Sequence, residues 1–327
     1  MNKGLLYIVL FLSLSLIACR EKNAPEVEVS TSPATVMPFP RASASVAVMG
    51  DTVYIFGGRD SHQHYLNDMW RYVVSTDTWT QINTFPGKAR VKAAMTYFDG
   101  QIYVGMGFSG EKVYLDSCYL RDWWQYSPQT DTWKRLKDFP SANVVGCTPY
   151  HSDEGIYTFY GMSKGFSQEI YHYSSSVDRW DSIVCQNESP EPRCGGCGAK
   201  IGNRCFFGTG YDTWNNRDWY EFSLSDHEWQ TRQSLPGKGR QLCVAAATDR
   251  YIYVFGGRNF GGDMTGGEVF AQYLRYDSAE DSWEHCGDMP CGKAENMVAF
   301  TLQGHVYYGL GENEDGKLID TIYRIDE

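Results

Sequence analysis

One short pattern recurs five times along this chain and restricts its fold more than any other feature. An aromatic residue is followed, seven positions later, by a tryptophan. The five pairs are Tyr72 and Trp79, Tyr126 and Trp133, Tyr173 and Trp180, Phe222 and Trp229, and Tyr276 and Trp283. Successive tryptophans are 54, 47, 49 and 54 residues apart. Self-similarity at such a period indicates a repeat architecture, in which each unit buries its apolar faces against its neighbours.

A second pattern lies upstream of each aromatic residue. Runs of β-branched and aromatic residues end in glycine at 53–58, 102–107, 156–161, 205–210, 252–257 and 306–311. Such runs predict buried strands. Gly57 and Gly256 are expected where the chain approaches a neighbour closely or turns with a positive φ. The chain therefore has six strand-and-glycine units but five tryptophans.

The period, the glycines and the aromatic-to-tryptophan spacing together resemble the kelch repeat, and the resemblance covers nearly all of the chain after residue 28. It implies an all-β fold, a six-bladed kelch-type β-propeller in which each blade is a four-stranded sheet. The tryptophans and their aromatic partners are then expected to pack between blades and to carry no chemistry.

The missing sixth tryptophan predicts how the ring closes. After Trp79, apolar residues stand three and six positions on, and a proline stands seven positions on. The stretch that begins at Pro33 has the same spacing, with Val36 and Phe39 as its apolar residues. We therefore expect an N-terminal strand to complete the last blade, so that residues 29–327 form a single propeller.

The N-terminus resembles a bacterial export signal. Residues 1–18 combine a short basic start with an apolar run that is too brief for a membrane span. The segment 16–19 resembles a lipobox, which implies a lipidated Cys19, with residues 19–28 as a short tether. Because Arg20 follows the cysteine where retention in the inner membrane would need aspartate, we expect an outer-membrane lipoprotein on either side. An ordinary signal with an unused cysteine is the alternative.

The charge balance narrows the range of partners. The chain carries 29 Lys and Arg against 40 Asp and Glu, a net charge of −11. This balance disfavours a broad contact with nucleic acid or anionic lipid, so any anion site must be local. We expect a monomer that contacts the membrane through its lipid alone and binds no nucleic acid.

The ten cysteines suggest several pairings. Lipidation of one would leave an odd number, and so at least one unpaired thiol unless a partner chain supplies its mate. The segment 194–197 has the spacing of a metal or redox pair, but no second such pair exists and no metal is expected. Cys286 and Cys291 could close a small disulfide. Cys147 and Cys243 lie in apolar strand patterns, which predicts buried thiols.

The arginines supply the main binding hypothesis. An arginine stands thirteen residues before the second-strand aromatic in four repeats. The four are Arg41, Arg90, Arg193 and Arg240, and the nearest equivalents in the other two repeats are Asn143 and Glu295. Radial repetition predicts that these six side chains face one mouth of the central channel, where guanidinium groups would suit a carboxylate, sulfate or phosphate. Alternatively, each arginine bonds carbonyls of a neighbouring blade or pairs with loop carboxylates.

Aromatic residues in the loops between second and third strands extend this hypothesis. Tyr211 and Trp214 beside arginines would suit a sugar, whose CH faces stack while its hydroxyls accept and donate hydrogen bonds. The alternative is that these loops fold on small cores of their own. The expected function is therefore a binding module for an anionic or glycan ligand or for a protein partner.

Two enzyme families also contain kelch propellers. Galactose oxidases take copper ligands partly from an added domain, and since this chain ends with its last blade we expect neither copper nor another cofactor. In bacterial sialic acid mutarotases a glutamate directly after a glycine-ended second strand works with an arginine a few residues on. Glu312 follows Gly311 in the matching place, but residues 313–318 contain Lys317 and no arginine. A sugar mutarotase or epimerase, with Glu312 as acid–base residue, is the alternative function.

Overall fold

The computed structural model describes residues 24–110, 115–142, 144–261 and 267–326. Within these residues the chain forms six four-stranded antiparallel sheets and one additional two-stranded hairpin. The predicted all-β, six-bladed propeller is therefore confirmed. The signal segment, Cys19 and Asn143 lie outside the described residues.

The chain begins with β1 (Ser30–Val36), which belongs to the last blade. Blades 1 to 3 follow, each with four consecutive strands from the axis outward. Blade 1 consists of β2 (Ser45–Met49), β3 (Thr52–Phe56), β4 (Met69–Val73) and β5 (Thr78–Gln81), and blade 2 of β6 (Ala94–Phe98), β7 (Gln101–Gly105), β8 (Trp123–Ser127) and β9 (Thr132–Arg135). Blade 3 consists of β10 (Thr148–Ser152), β11 (Gly155–Phe159), β12 (Ile170–Ser174) and β13 (Arg179–Ile183). Two 3₁₀ turns, Val74–Thr76 and Asp116–Cys118, interrupt the connections.

Blades 4 to 6 repeat this order. Blade 4 consists of β14 (Cys197–Ile201), β15 (Arg204–Gly208), β16 (Trp219–Ser223) and β17 (Trp229–Arg232). Blade 5 consists of β18 (Val244–Ala247), β19 (Tyr251–Phe255), β22 (Gln272–Asp277) and β23 (Ser282–Asp288), with the separate hairpin β20 (Arg258–Asn259) and β21 (Glu268–Val269) between its second and third strands. Blade 6 consists of β24 (Val298–Leu302), β25 (His305–Gly309), β26 (Thr321–Asp326) and the N-terminal β1. The second strand of each blade is buried on both faces because blades pack against it from either side, which is why its sequence is a continuous apolar run.

Ring closure follows the prediction in its main point. Strand β1 pairs antiparallel with β26 and becomes the outer strand of blade 6. The spacing argument was wrong about register. Thr31, which lies opposite Ile325, takes the place of the tryptophan, whereas Pro33 lies opposite Tyr323, next to a bulge. As a result Met37 is the buried apolar residue, while Val36 is 56% exposed.

The segment before β1 also lies against the propeller. The Val27 amide donates to the His285 carbonyl at 2.8 Å, and the His285 amide donates to the Pro25 carbonyl at 2.8 Å. Residues 25–28, which the sequence assigned to a tether, thus run beside β23 of blade 5. No helix among the described residues is long and apolar enough to cross a membrane.

The five aromatic–tryptophan pairs pack as predicted, with ring centroids 4.8 to 5.1 Å apart. Among the described residues, four indole nitrogens also reach the preceding blade, and that of Trp79 donates to the Thr35 hydroxyl of β1 in blade 6 at 3.1 Å. Trp133, Trp180 and Trp283 donate to the carbonyls of Asn83, Lys137 and Gln233 at 2.7 to 3.2 Å. These tryptophans therefore join neighbouring blades at the outer face of the ring.

The glycine after the second strand joins neighbouring blades nearer the axis. The Gly58 amide donates to the Arg90 carbonyl of the next blade at 2.9 Å. Gly57 has φ +61°, and a Cβ there would lie 2.7 Å from the same carbonyl oxygen. At Gly256, with φ +55°, a Cβ would lie 2.2 Å from the Ala294 carbonyl oxygen. Both positions show the close approach and positive φ that the sequence predicted.

Candidate functional site

A cavity of about 510 Å³ opens at the axis, where the six inner strands begin. All six blades contribute to its wall. Its polar lining includes Ser43, Lys92, Gln241 and Asn296, and Phe260 adds an aromatic ring. The volume falls within the range of roughly 300–1,000 Å³ that is usual for small-molecule sites. This cavity is therefore the best candidate for a binding site.

A ring of left-handed residues surrounds the cavity, one from each blade. The six are Ser43, Lys92, Gly146, Gly195, Leu242 and Asn296, with φ between 51° and 73°. In five of the six neighbouring pairs, the amide of a ring residue donates to the carbonyl of the ring residue in the preceding blade, at 2.8 to 3.3 Å. All six ring residues line the cavity, and four of them carry side chains.

The predicted arginine cluster is corrected by the structure. Arg41, Arg90 and Arg193 are buried at 3% exposure or less, and none of the four arginines lines the cavity. Arg90 donates from Nη1 and Nη2 to Asp122 at 2.6 and 2.8 Å, and from Nη1 to the Met106 carbonyl at 2.9 Å.

Arg41 with Asp68, and Arg193 with Asp218, repeat the two-pronged contact of Arg90 with Asp122. Although burial acts to raise it, the hydrogen bonds and charge of Arg41 hold the pKa of Asp68 below its usual value. The alternative stated above, in which arginines bond carbonyls and pair with loop carboxylates, describes these three residues. Radial repetition identified equivalent positions but not the direction in which their side chains point.

Arg240 is the exception among the four arginines. Gln272 takes the place of the aspartate, and the Arg240 guanidinium lies 4.2 Å from the centre of the Phe270 ring. Its one hydrogen bond among the described residues runs from Nη1 to the Gly256 carbonyl at 3.1 Å, and Nε is buried without a partner. Arg240 is thus a buried cation whose guanidinium is contacted by no carboxylate of the described residues.

Asn143 and Glu295, the predicted equivalents of the arginines in the other two blades, also need correction. Counting thirteen residues back from Tyr157 and Tyr307 gives Val144 and Ala294, so Asn143 and Glu295 stand one residue off the arginine position. Glu295 is buried, and its carboxylate accepts from Arg258 Nε and Nη2 at 2.8 and 2.7 Å. It therefore belongs to an ion pair beside the cavity.

Glu312 contacts an arginine from another blade, although its own loop contains none. Arg59, from blade 1, donates to its carboxylate across the seam where the ring closes. Asn296 Nδ2 donates to Glu312 Oε1 at 2.9 Å, and Asn296 Oδ1 accepts from Ser43 Oγ at 3.1 Å. Lys317, the basic residue expected near Glu312, is exposed, and its backbone amide bonds Asn313. The buried Glu312 carboxylate is thus linked through Asn296 to the cavity wall.

Lys92 is a candidate site residue that sequence reasoning missed. It is partly buried and lines the cavity, and among the described residues its ammonium group has neither a hydrogen bond nor an ion pair. Burial lowers its pKa, while the carboxylates of Glu295 and Glu312 act in the opposite direction. On the same wall, Gln241 Nε2 is a buried donor without a partner among the described residues. An anion could satisfy both groups.

The two loop aromatics predicted as ligand contacts, Tyr211 and Trp214, have different surroundings in the structure. Tyr211 packs edge-on against Phe260, with ring centroids 6.3 Å apart, and Phe260 lines the cavity. Trp214 lies at the tip of the same loop and is 76% exposed. The structure therefore places Tyr211 behind the cavity wall and leaves Trp214 outside it.

The arrangement of the thiols differs from the one that the spacing of the cysteines in the sequence suggested. No group of three or more metal-ligating side chains occurs among the described residues, and these residues contain no disulfide, so Cys286 and Cys291 are thiols. Cys147 and Cys243 are buried, as predicted. Cys197 and Cys243 of the next blade both contact Thr209 Oγ1, at 3.7 and 3.3 Å, whereas the sequence spacing had suggested Cys194 as the neighbour of Cys197.

Comparison with known proteins agrees with this architecture. The family described as the KLHDC2/KLHL20/DRC7 Kelch-repeats domain matches residues 17–210, and the Kelch motif matches residues 239–290. The fold and the site thus define a six-bladed propeller with an axial cavity. The chain belongs to the kelch-repeat β-propeller family.

Individual relatives have diverse descriptions. Kelch-like protein terF of Aspergillus terreus is 25% identical over 77% of this chain and 57% of its own length. An N-acetylneuraminate epimerase of Haemophilus influenzae is 22% identical over 79% and 64%. An N-(sulfonatooxy)prop-2-enimidothioate sulfolyase of Thlaspi arvense is 25% identical over 68% and 71%. This chain thus spans less than two thirds of the first two relatives.

A solved structure shows the same fold. The structure of YjhT superposes with a TM-score of 0.75 at 17% identity, over 88% of this chain and 95% of that one. At this identity the likeness concerns the fold alone.

Proposed function

We propose that this propeller is a binding module whose axial cavity takes a small anionic ligand of the sugar-acid type. One observation carries the proposal: Lys92 lines the cavity, and no carboxylate or carbonyl of the described residues contacts its ammonium group. A cation that is partly shielded from water is costly unless a counter-charge accompanies it. A ligand carboxylate would supply that charge.

The other groups around Lys92 fit a polyhydroxylated ligand. Gln241 Nε2 is an unused donor, while Ser43 and Asn296 offer polar atoms across the cavity. Phe260 supplies a flat apolar face against which the CH face of a sugar ring could pack. A carboxylate would thus fix orientation, and hydroxyls and ring faces would add contact area.

Calorimetric titration with glucuronate and glucose tests the proposal, because these ligands differ by one carboxylate. We expect glucuronate to bind and glucose to bind at least tenfold more weakly, since a sheltered charge-assisted hydrogen bond contributes about 1.5–3 kcal/mol. Lys92→Met should remove the preference, and Lys92→Arg should retain part of it. Lys134→Met, in the same blade but exposed, is the matched control. Equal binding of both sugars by the natural protein would contradict the proposal.

A second candidate function is a sugar mutarotase or epimerase. The contact of Arg59 with Glu312 favours it, because a buried carboxylate beside an arginine could exchange protons with an anomeric hydroxyl. The description of one relative as an N-acetylneuraminate epimerase lends it further support. Exchange spectroscopy on N-acetylneuraminate distinguishes the two functions. An enzyme would accelerate anomer exchange and lose this activity in Glu312→Gln, whereas a binding module would leave the exchange rate unchanged.

We also propose that the propeller is exported and held at the outer membrane by lipid on Cys19. The support is the sequence of residues 1–19, with its basic start, apolar run and lipobox-like end. Since residues 25–27 already lie against blade 5, the chain between Cys19 and the propeller is short, and the blades would stay close to the membrane surface.

A further inference from the structure

Two thiols from neighbouring blades meet in the wall of the cavity. Cys197 is the first residue of β14, and Cys243 directly precedes β18. Thr209 Oγ1 lies 3.7 Å from the Cys197 sulfur and 3.3 Å from the Cys243 sulfur, so one hydroxyl contacts both thiols. The two cysteines are buried, with exposed fractions of 6% and 5%, and both line the cavity. The cavity is therefore the side from which a small molecule would reach them.

The unpaired Arg240 completes this cluster. It stands three residues before Cys243 and acts electrostatically on both sulfurs. In blades 1, 2 and 4 the equivalent arginine is neutralised by an aspartate, but here no carboxylate contacts the guanidinium among the described residues. A thiolate on Cys243 would act on this cation as a second negative charge, in addition to that of the Glu268 carboxylate.

The surroundings also separate the two thiols chemically. The neighbouring Cys197 thiol, the Thr209 hydroxyl and the Arg240 charge lower the pKa of Cys243 despite its burial. The neighbouring Cys243 thiol and burial raise the pKa of Cys197. Of the two thiols Cys243 therefore ionises more easily, as the nucleophilic cysteine of a dithiol does relative to the resolving cysteine.

We propose that Cys197 and Cys243 form a redox-active dithiol site, which small disulfides of the glutathione class oxidise to a disulfide between blades 4 and 5. The site is independent of the anion-binding function proposed above. It would also couple the redox state to the cavity, because the new bond lies next to Gln241 and Leu242 on the cavity wall.

The reaction proceeds by two thiol–disulfide exchanges. The Cys243 thiolate attacks one sulfur of the small disulfide, whose S–S bond breaks and releases one thiolate. The Cys197 thiol then loses its proton, and its sulfur attacks the Cys243 sulfur of the mixed disulfide, releasing the second small thiol. Two electrons pass from the protein to the small disulfide, and the two protein protons end on the released thiols.

Blade 3 contains an internal control. Cys147 occupies the position of Cys243 and also lines the cavity. There, Ala94 stands in place of Cys197 and Val144 in place of Arg240, and burial raises the pKa of Cys147 to about 12. Position in the ring alone therefore does not predict reactivity.

Peptide mapping of the whole folded protein after exposure to glutathione disulfide tests the proposal. We expect a crosslinked peptide pair containing Cys197 and Cys243, a loss of two hydrogens from the intact mass, and unmodified Cys147. Cys197→Ser should trap glutathione on Cys243, and Cys243→Ser should leave Cys197 unmodified. Thr209→Val, which keeps the shape of the side chain, should slow the reaction several-fold at neutral pH.

Two results would overturn the proposal. One is a link between Cys194 and Cys197 in place of the interblade link. The other is a Cys243 that stays unmodified while the more exposed Cys194 reacts. Because both results come from the natural protein, neither depends on whether a variant folds.

Discussion

At the scale of single residues, a recurrent hydrogen bond joins a tyrosine to an aspartate five positions later. In four blades the tyrosine hydroxyl donates to an aspartate in the following turn: Tyr72 to Asp77, Tyr126 to Asp131, Tyr173 to Asp178, and Tyr276 to Asp281, at 2.6 to 2.9 Å. The same carboxylate often accepts an amide of the preceding blade, as Asp178 does from Lys137 at 2.9 Å. Burial and the Asp77 hydrogen bond raise the pKa of Tyr72 to about 12.

Blade 4 departs from this contact at both ends. Phe222 takes the place of the tyrosine, and His227 takes that of the aspartate. The left-handed turn persists, with φ +56° at His227. Both members of the hydrogen bond are thus replaced in this blade, which leaves neither an aspartate without its donor nor a tyrosine without its acceptor.

Replacing Tyr173 by phenylalanine tests this contact. A hydrogen bond to a charged group contributes about 1.5–3 kcal/mol, so Tyr173→Phe should lower the free energy of unfolding by roughly that amount. Tyr97→Phe, at a hydroxyl with no acidic acceptor among the described residues, is the control and should change it little. Equal changes in urea titrations of both variants would assign the effect to ring packing.

At the scale of strands and loops, the arginine–aspartate pairs fasten the connection between blades to the loop between second and third strands. Arg90 precedes β6 and Asp122 precedes β8, and the guanidinium also holds the Met106 carbonyl at the end of β7. The pairs therefore stabilise the framework behind the cavity wall.

Variants of Arg90 test this structural role. Leaving the partly buried Asp122 without its partner should cost up to about 3–5 kcal/mol, so Arg90→Ala should unfold earlier in denaturant. Arg90→Lys should recover only part of the loss, because an ammonium cannot make the two-pronged contact. Arg135→Ala, which breaks an exposed ion pair with Asp138 in the same blade, should cost at most about 1 kcal/mol. Weakened ligand binding with unchanged stability in Arg90→Ala would contradict this role.

The strands could be predicted from the sequence, whereas the cavity residues and the contact of Arg59 with Glu312 could not. The strands and the closing strand repeat in spacing and chemistry, so periodicity located them. The six residues that enter the cavity share a backbone angle but no side-chain chemistry, as Lys92 and Leu242 illustrate. Arg59 and Glu312 lie 253 residues apart and meet only because the ring closes. No local pattern could have indicated either feature.

At the scale of the whole molecule, closure by β1 makes the stability of the ring depend on the N-terminal segment. Deletion of residues 29–38 should expose an edge of β26 and lower the melting temperature, since the blades stabilise one another in sequence around the axis. Met37→Ala should lower it by removing a buried side chain, whereas Val36→Ala should have little effect. A deletion that melts like the full chain would show that β1 contributes little to closure.

Membrane attachment is a second property of the whole molecule. Cys19→Ser should move the protein from the membrane fraction to the soluble fraction of expressing cells, because the proposed lipid is the only attachment expected. Its melting temperature should be unchanged, since Cys19 precedes the residues that pack on the propeller. Retention of the variant in membranes after a high-salt wash would exclude a lipid on Cys19 as the sole anchor.

The central claim is that Lys92 binds the carboxylate of a ligand in the cavity, and measuring the Lys92 pKa with and without ligand tests it most directly. Burial lowers this pKa in the unliganded protein, and a bound carboxylate should raise it, so anion binding should weaken as pH rises through the liganded value. The measurement is an NMR pH titration of the lysine side chain, with the signal assigned by its loss in Lys92→Met. We predict an upward shift of the Lys92 pKa with saturating glucuronate and no shift with glucose. The same pKa with and without glucuronate would contradict the account.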